Sequence, residues 1–161
     1  GFLNINDSER RIPLEEHEKI IKNGYPKEGD VLVSSVGSIG RSCVFEYPEP
    51  ISFQRSVCFI RPSFKLNSYY LSYLIRSNVC QNQITTLINQ STVGGIYMGD
   101  LTNLYVITPP REEQEQIVEY LDEHTKKIDK TILVEERRIE LLKEYKQSLI
   151  SEVVTGKKRV V

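Results

Sequence analysis

From Arg111 to Thr155 the chain runs without a single glycine or proline, and Glu, Lys, Leu and Ile fill most of the stretch. Gly and Pro cost about 1 and 3 kcal/mol in a helix interior, so a run of helix formers that lacks both predicts one long α-helix. Its start is marked by Pro110, whose locked φ suits the first helical turn, and by Glu112, Glu113 and Glu115 at the positive end of the helix dipole. Gly156 is the expected stop, and Lys157, Lys158 and Arg159 follow it, where cations are favoured. At about 1.5 Å per residue this is a rod of roughly 65 Å, far longer than the usual globular helix.

A rod of that length must cover its apolar stripe. Leu121, Ile128, Ile132, Ile139, Leu142, Leu149 and Val153 follow one another at steps of 7, 4, 7, 3, 7 and 4, which keeps them on one seam of a coiled coil. Glu135 and Arg138 fall on the same seam and interrupt it with charge at its middle. The expected cover is a second helix, in a dimer of this chain; a surface helix packed on its own domain satisfies the same pattern.

The charge distribution places a boundary at the Pro109-Pro110 pair. Residues 1–110 carry 10 basic and 10 acidic side chains, whereas residues 111–161 carry 11 and 12 in less than half the length. The expected division is therefore residues 1–108 and residues 109–161. In the first part VLVSSV (31–36), CVFEY (43–47), SVCFIR (56–61) and LYVIT (104–108) are short β-branched or aromatic runs bounded by Gly, Pro or Ser, and are read as strands. Residues 68–88, with apolar side chains returning every three or four positions, are read as one helix, and PLEEHEKII near the start as a short one. The fold class expected is α+β: a small mixed α/β domain followed by one long coiled-coil-forming helix.

Composition removes several classes of function. A net charge of −1 gives no uniform basic field, so any anion site must be local. Cys43, Cys58 and Cys80 are odd in number and form no CxxC pair, which suits a reducing cytoplasm and no disulfide scaffold. With only His17 and His124 besides, no metal site is expected, and no run is long and apolar enough for a membrane span. Both histidines sit on highly charged helical segments and are read as solvated. TPPR (108–111) lacks the Asn or Asp and the aromatic ring that an amino-methyltransferase needs, and the acids of residues 20–105 are too scattered for a nuclease metal set. No catalytic residue, no cofactor and no enzymatic activity are expected.

The polar strings that remain suit nucleic acid. GDVLVSSVGSIGR (29–41) reads as a strand followed by a Gly37-Ser38-Ile39-Gly40 turn, with hydroxyls and Arg41 beside backbone free of side chains. It is no P-loop, because no GK[ST] follows it. Gln54-Arg55-Ser56 and Asn89-Gln90-Ser91-Thr92 are two further clusters of residues that hydrogen-bond base edges and phosphates. Between Lys22 and Gly99 seven bases face four acids, a modest local excess.

Three strings taken together, GDVLVSSVGSIGR, TVGGIYMGDLTNLYVITPPREEQEQIVEYLD and KIDKTILVEERRIELLKEYKQSLISEVVTGK, resemble the target recognition domain and conserved helix of type I restriction-modification specificity subunits. The most specific portion runs from Pro109 to Asp122, leading into the helix and the closing VTGK; Arg111 stands where the family commonly has Leu. The resemblance implies a cytoplasmic, non-catalytic DNA-binding component, corresponding to half a subunit, natural or excised, with the domain's first strands expected before Gly1. It implies that residues 1–108 read double-stranded DNA, and that residues 109–161 space two recognition domains and dock methyltransferase (modification) and restriction subunits. The helix seam would then serve self-association or pairing with the other half of a full subunit. The residues expected at DNA are Ser34, Ser35, Ser38, Arg41, Gln54, Arg55, Ser91, Thr92 and Tyr97. The reading from another class is a protein-interaction scaffold that uses a dimeric coiled coil and binds no DNA.

Overall fold

The computed structural model describes residues 11–22, 24–53, 56–90 and 95–160, with residues 89 and 90 described by backbone alone. The chain divides into two compact units, Gly1–Val118 and Glu119–Val161. In chain order the elements are α1 (Leu14–Ile21), β1 (Val31–Ser34), β2 (Ser42–Val44), β3 (Val57–Ile60), α2 (Ser68–Arg76), α3 (Asn78–Gln90), α4 (Met98–Thr102) and α5 (Arg111–Val154). The fold class is α+β, as the sequence predicted.

The three strands form one antiparallel sheet in the order β2-β1-β3. The most buried strand, β1, takes the centre, with Val31, Leu32 and Val33 all buried there. Strand alternation turns Val31 and Val33 to one face, where they pack with Leu71 and Ile75 of α2, Ile84 of α3, Ile96 and Leu101. Phe45, fully buried just beyond β2, stacks tilted on Tyr47 and edge-on to Phe53, with ring centroids 5.7 and 6.1 Å apart. Apolar burial on this scale is the main drive for closing the first unit.

Two expectations are corrected. Residues 104–108 are not a strand, because their backbone partners are side chains of the neighbouring helices. Gln83 of α3 accepts from the Tyr105 N–H at 2.9 Å and donates to its carbonyl at 3.0 Å, and the Tyr70 hydroxyl donates to the Ile107 carbonyl at 2.9 Å. An amide side chain supplies here what a neighbouring strand supplies elsewhere. The helix expected over residues 68–88 is two helices. Ser77 is extended, with ψ at 153°, and its hydroxyl donates to the Leu74 carbonyl at 2.6 Å, closing α2 before α3 begins.

The start of α5 belongs to the first unit. Gln114 is fully buried there: its side-chain oxygen accepts from the Asn67 N–H at 2.8 Å, and its amide donates to the carbonyls of Lys65 at 3.0 Å and Pro109 at 2.8 Å. Asn67 in turn caps α2 by accepting from the N–H groups of Tyr69 and Tyr70. In the second unit α5 continues to Val154, and every residue from Lys126 to Ser148 is exposed. Glu135 and Arg138, the charges that interrupt the seam, lie 3.6 Å apart as an ion pair. Among the described residues no helix is long and apolar enough to cross a membrane.

Candidate nucleic-acid interface

The hairpin between β1 and β2 gives the clearest local geometry. Ser34 and Arg41 close it through the Ser34 N–H to the Arg41 carbonyl, and the Gly40 N–H donates to the Ser34 carbonyl, both at 2.9 Å. Gly37 and Gly40 adopt φ of 75° and 79°, the left-handed region that side chains disfavour. Between them Ser38 stands exposed, and Arg41 is exposed immediately after the turn.

Gly40 is needed twice over. A Cβ there would lie 2.6 Å from Nε2 of Gln81, which donates to the carbonyls of both Gly40 and Ile75 at 3.1 and 2.7 Å. At Gly37 the same added carbon meets no described residue within 4 Å apart from its own chain neighbours. Gly37→Ala is expected to cost about 1 kcal/mol for its backbone conformation, and Gly40→Ala about 2 kcal/mol because it also displaces Gln81. Urea unfolding of the two variants checks the difference; equal costs would show that the Gln81 contact carries none of it.

The structure sorts the residues expected at DNA. Ser38, Arg41 and Tyr97 are exposed, Tyr97 at 60%, just before α4, where its N–H donates to the Asp100 carboxylate at 2.8 Å. Ser34 is half-buried and its hydroxyl donates to the Val36 carbonyl at 3.1 Å, inside the turn. Ser35 is buried, 3% exposed, with its N–H on the Ser56 carbonyl and its own carbonyl accepting from the Ile96 N–H. Gln54, Arg55, Ser91 and Thr92 lie outside the described residues.

The local basic excess also sorts itself. The Asp30 carboxylate is buried and takes both Nε and Nη2 of Arg61, at 2.9 and 2.8 Å, together with the Lys27 N–H at 2.8 Å. The hydrogen bond to Asp30 raises the Arg61 guanidinium above its ordinary pKa, so this cation is committed to structure. Arg41 and Arg76 are different: both are exposed, and among the described residues neither pairs with a carboxylate. They line one cleft of about 460 Å³ together with Ile39, Gly40, Ser42 and Gln81. Sequence reasoning placed Arg41 at DNA and left Arg76 in a helix, because nothing local connects positions so far apart in the chain.

Chemistry elsewhere is quiet. Burial pushes the thiols of Cys43 and Cys80 above the ordinary cysteine pKa, which keeps them protonated and poor nucleophiles. His17 is half-buried with Nδ1 at 2.7 Å from the Ser52 hydroxyl, and His124 donates from Nδ1 to the Tyr120 carbonyl one turn earlier on α5. Among the described residues no three His, Cys, Asp or Glu side chains converge in a way that could hold a metal ion.

A small antiparallel sheet backed by helices and followed by a helix of 44 residues defines an α+β domain carried on a long helix. The same fold occurs in a solved structure concerned with complex assembly and conformational transition of the type I R-M system, with a TM-score of 0.62 and 24% identity, covering 79% of this chain and 30% of that one. In sequence the chain is similar to the specificity subunit of the EcoKI type I restriction enzyme of Escherichia coli K12, at 26% identity over 133 residues, 81% of this chain and 29% of that protein. It is also similar to the MjaVIII specificity subunit of Methanocaldococcus jannaschii, at 28% identity over 148 residues, 86% of this chain and 34% of that protein. The chain thus spans about a third of the length of these relatives. The family model for the type I restriction modification DNA specificity domain matches residues 2–143, and the chain belongs to that family.

Proposed function

We propose that this chain reads the sequence of double-stranded DNA for a type I restriction-modification system and contributes no catalytic group of its own. The observation that carries the reading is the family match over residues 2–143. It agrees with the exposed Ser38, Arg41 and Tyr97 on a domain in which Arg61 is committed to the buried Asp30 carboxylate. In this reading residues 1–108 recognise the target, and residues 109–161 act as spacer and as the docking element for methyltransferase and restriction subunits. Gln54, Arg55, Ser91 and Thr92 remain part of the proposed reading surface.

The helix pairs with a second copy in antiparallel fashion. Support comes from the half-exposed Ile128, Ile132 and Ile139, which line a groove of about 500 Å³ along α5. Leu121, Leu142, Leu149 and Val153 continue the same seam, and the Glu135–Arg138 ion pair lowers the cost of enclosing the charges at its centre. Identical readers held apart by a rod of roughly 65 Å would select a palindrome whose short half-sites flank unread bases within about two turns of B-DNA.

Selection of bound sequences from a random duplex library tests the reading. The expected outcome is such an interrupted palindrome, bound with an affinity that falls steeply as salt rises. A continuous, non-palindromic site would remove the helix as ruler. Failure to bind any duplex, together with retained self-association, would favour the scaffold reading.

A further inference from the structure

We propose that Arg41 and Arg76 together grip a single phosphodiester of the duplex backbone, an inference that rests on the DNA reading above. Both arginines line the same cleft, and among the described residues no carboxylate lines it with them. Two like charges on one concave surface repel each other and attract an anion, and a cleft concentrates that field. Each arginine is held by the fold. Arg41 follows a turn locked by Gly40 and by Gln81, whose amide ties that turn to the Ile75 carbonyl. Arg76 closes α2, with its guanidinium carbon 5.4 Å from the centre of the Tyr73 ring.

The polar residues around them point to a backbone group as the ligand. The Ser42 hydroxyl is committed to the Ser72 carbonyl at 2.9 Å, and the Gln81 amide to two carbonyls. Among the described side chains of the cleft that leaves the two arginines as the donors, a pairing that suits phosphate oxygens and carries no base code. The pair therefore sets affinity and register while other residues discriminate between sequences.

The test compares the wild-type chain with Arg41→Ala, Arg76→Ala, Arg76→Lys and the double alanine variant on a selected duplex across a salt series. Each alanine is expected to weaken binding about tenfold on every sequence and to lower the salt slope by about 1. The double variant should lose less than the product of the two losses, because both contacts serve one phosphate. Arg76→Lys should keep the slope, and unfolding midpoints should stay unchanged. In NMR titrations the duplex should shift both guanidinium Nε–H signals at concentrations where inorganic phosphate leaves them in place. If Arg76→Ala binds with wild-type affinity and slope, or changes preference at one base position only, the clamp is wrong while the DNA reading stands. A response to inorganic phosphate before duplex would assign the cleft to a free anion and overturn the proposal. A wild-type chain that binds no duplex removes the reading and the clamp together.

Discussion

Gln114→Met is expected to lower the unfolding free energy of the first unit by about 3 kcal/mol. The two side chains are nearly equal in length and volume, so the change isolates hydrogen bonding from packing. Gln114 has no exposed surface and satisfies three backbone groups at once, the Asn67 N–H and the carbonyls of Lys65 and Pro109. A thioether returns none of these bonds, and each buried group left without a partner costs about 1–3 kcal/mol. Asn67 also caps α2, so loosening it reaches the helix whose Leu71 and Ile75 pack on β1. Urea unfolding followed by tyrosine fluorescence checks the value. A loss under about 1 kcal/mol would show that water replaces the amide at little cost, and that the Glu-Glu-Gln string is not what anchors the start of α5.

Changing Ile128, Ile132 and Ile139 together to Asp is expected to convert a dimer at tens of micromolar into a monomer. The three isoleucines are 58, 49 and 51% exposed, so pairing would cover roughly the remaining half of each. At roughly 1 kcal/mol for each half-covered side chain, six of them in a pair correspond to about a ten-thousandfold change in affinity, before the cost of enclosing new carboxylates. Sedimentation velocity reads the outcome, and circular dichroism checks that α5 remains helical. A wild-type chain that sediments as a monomer in this range would remove the proposed pairing. A triple variant that remains dimeric would place the interface on a different face, such as that of Leu133, Leu141 and Tyr145, which are also exposed.

The sequence by itself determined the elements whose causes are local. The helix over Arg111–Val154 follows from a stretch without breakers, and its end before Gly156 follows from the one residue that accepts φ of 74°. The runs read as strands at 31–36, 43–47 and 56–61 overlap the shorter strands at 31–34, 42–44 and 57–60, and the turn at Gly37 and Gly40 was legible as glycine spacing. The break at Ser77 had a signal too: Ser77-Asn78 is a pair of capping residues inside an apolar repeat, and periodicity outweighed it.

Only the tertiary structure decided the rest, because each remaining feature depends on a partner distant in the chain. Leu104–Thr108 has the composition of a strand, yet a strand exists only where another backbone pairs with it, and Gln83 and Tyr70 arrive first. Ser35 carries the same hydroxyl as Ser38 but is buried, since its backbone joins Ser56 and Ile96 while the turn lifts Ser38 into solvent. Arg61 looked like surface charge until Asp30 closed on it, and Arg76 became a neighbour of Arg41 only when α2 packed against β2. Local propensity is written in adjacent residues, whereas which polar groups are satisfied and which face the solvent depends on how the elements pack.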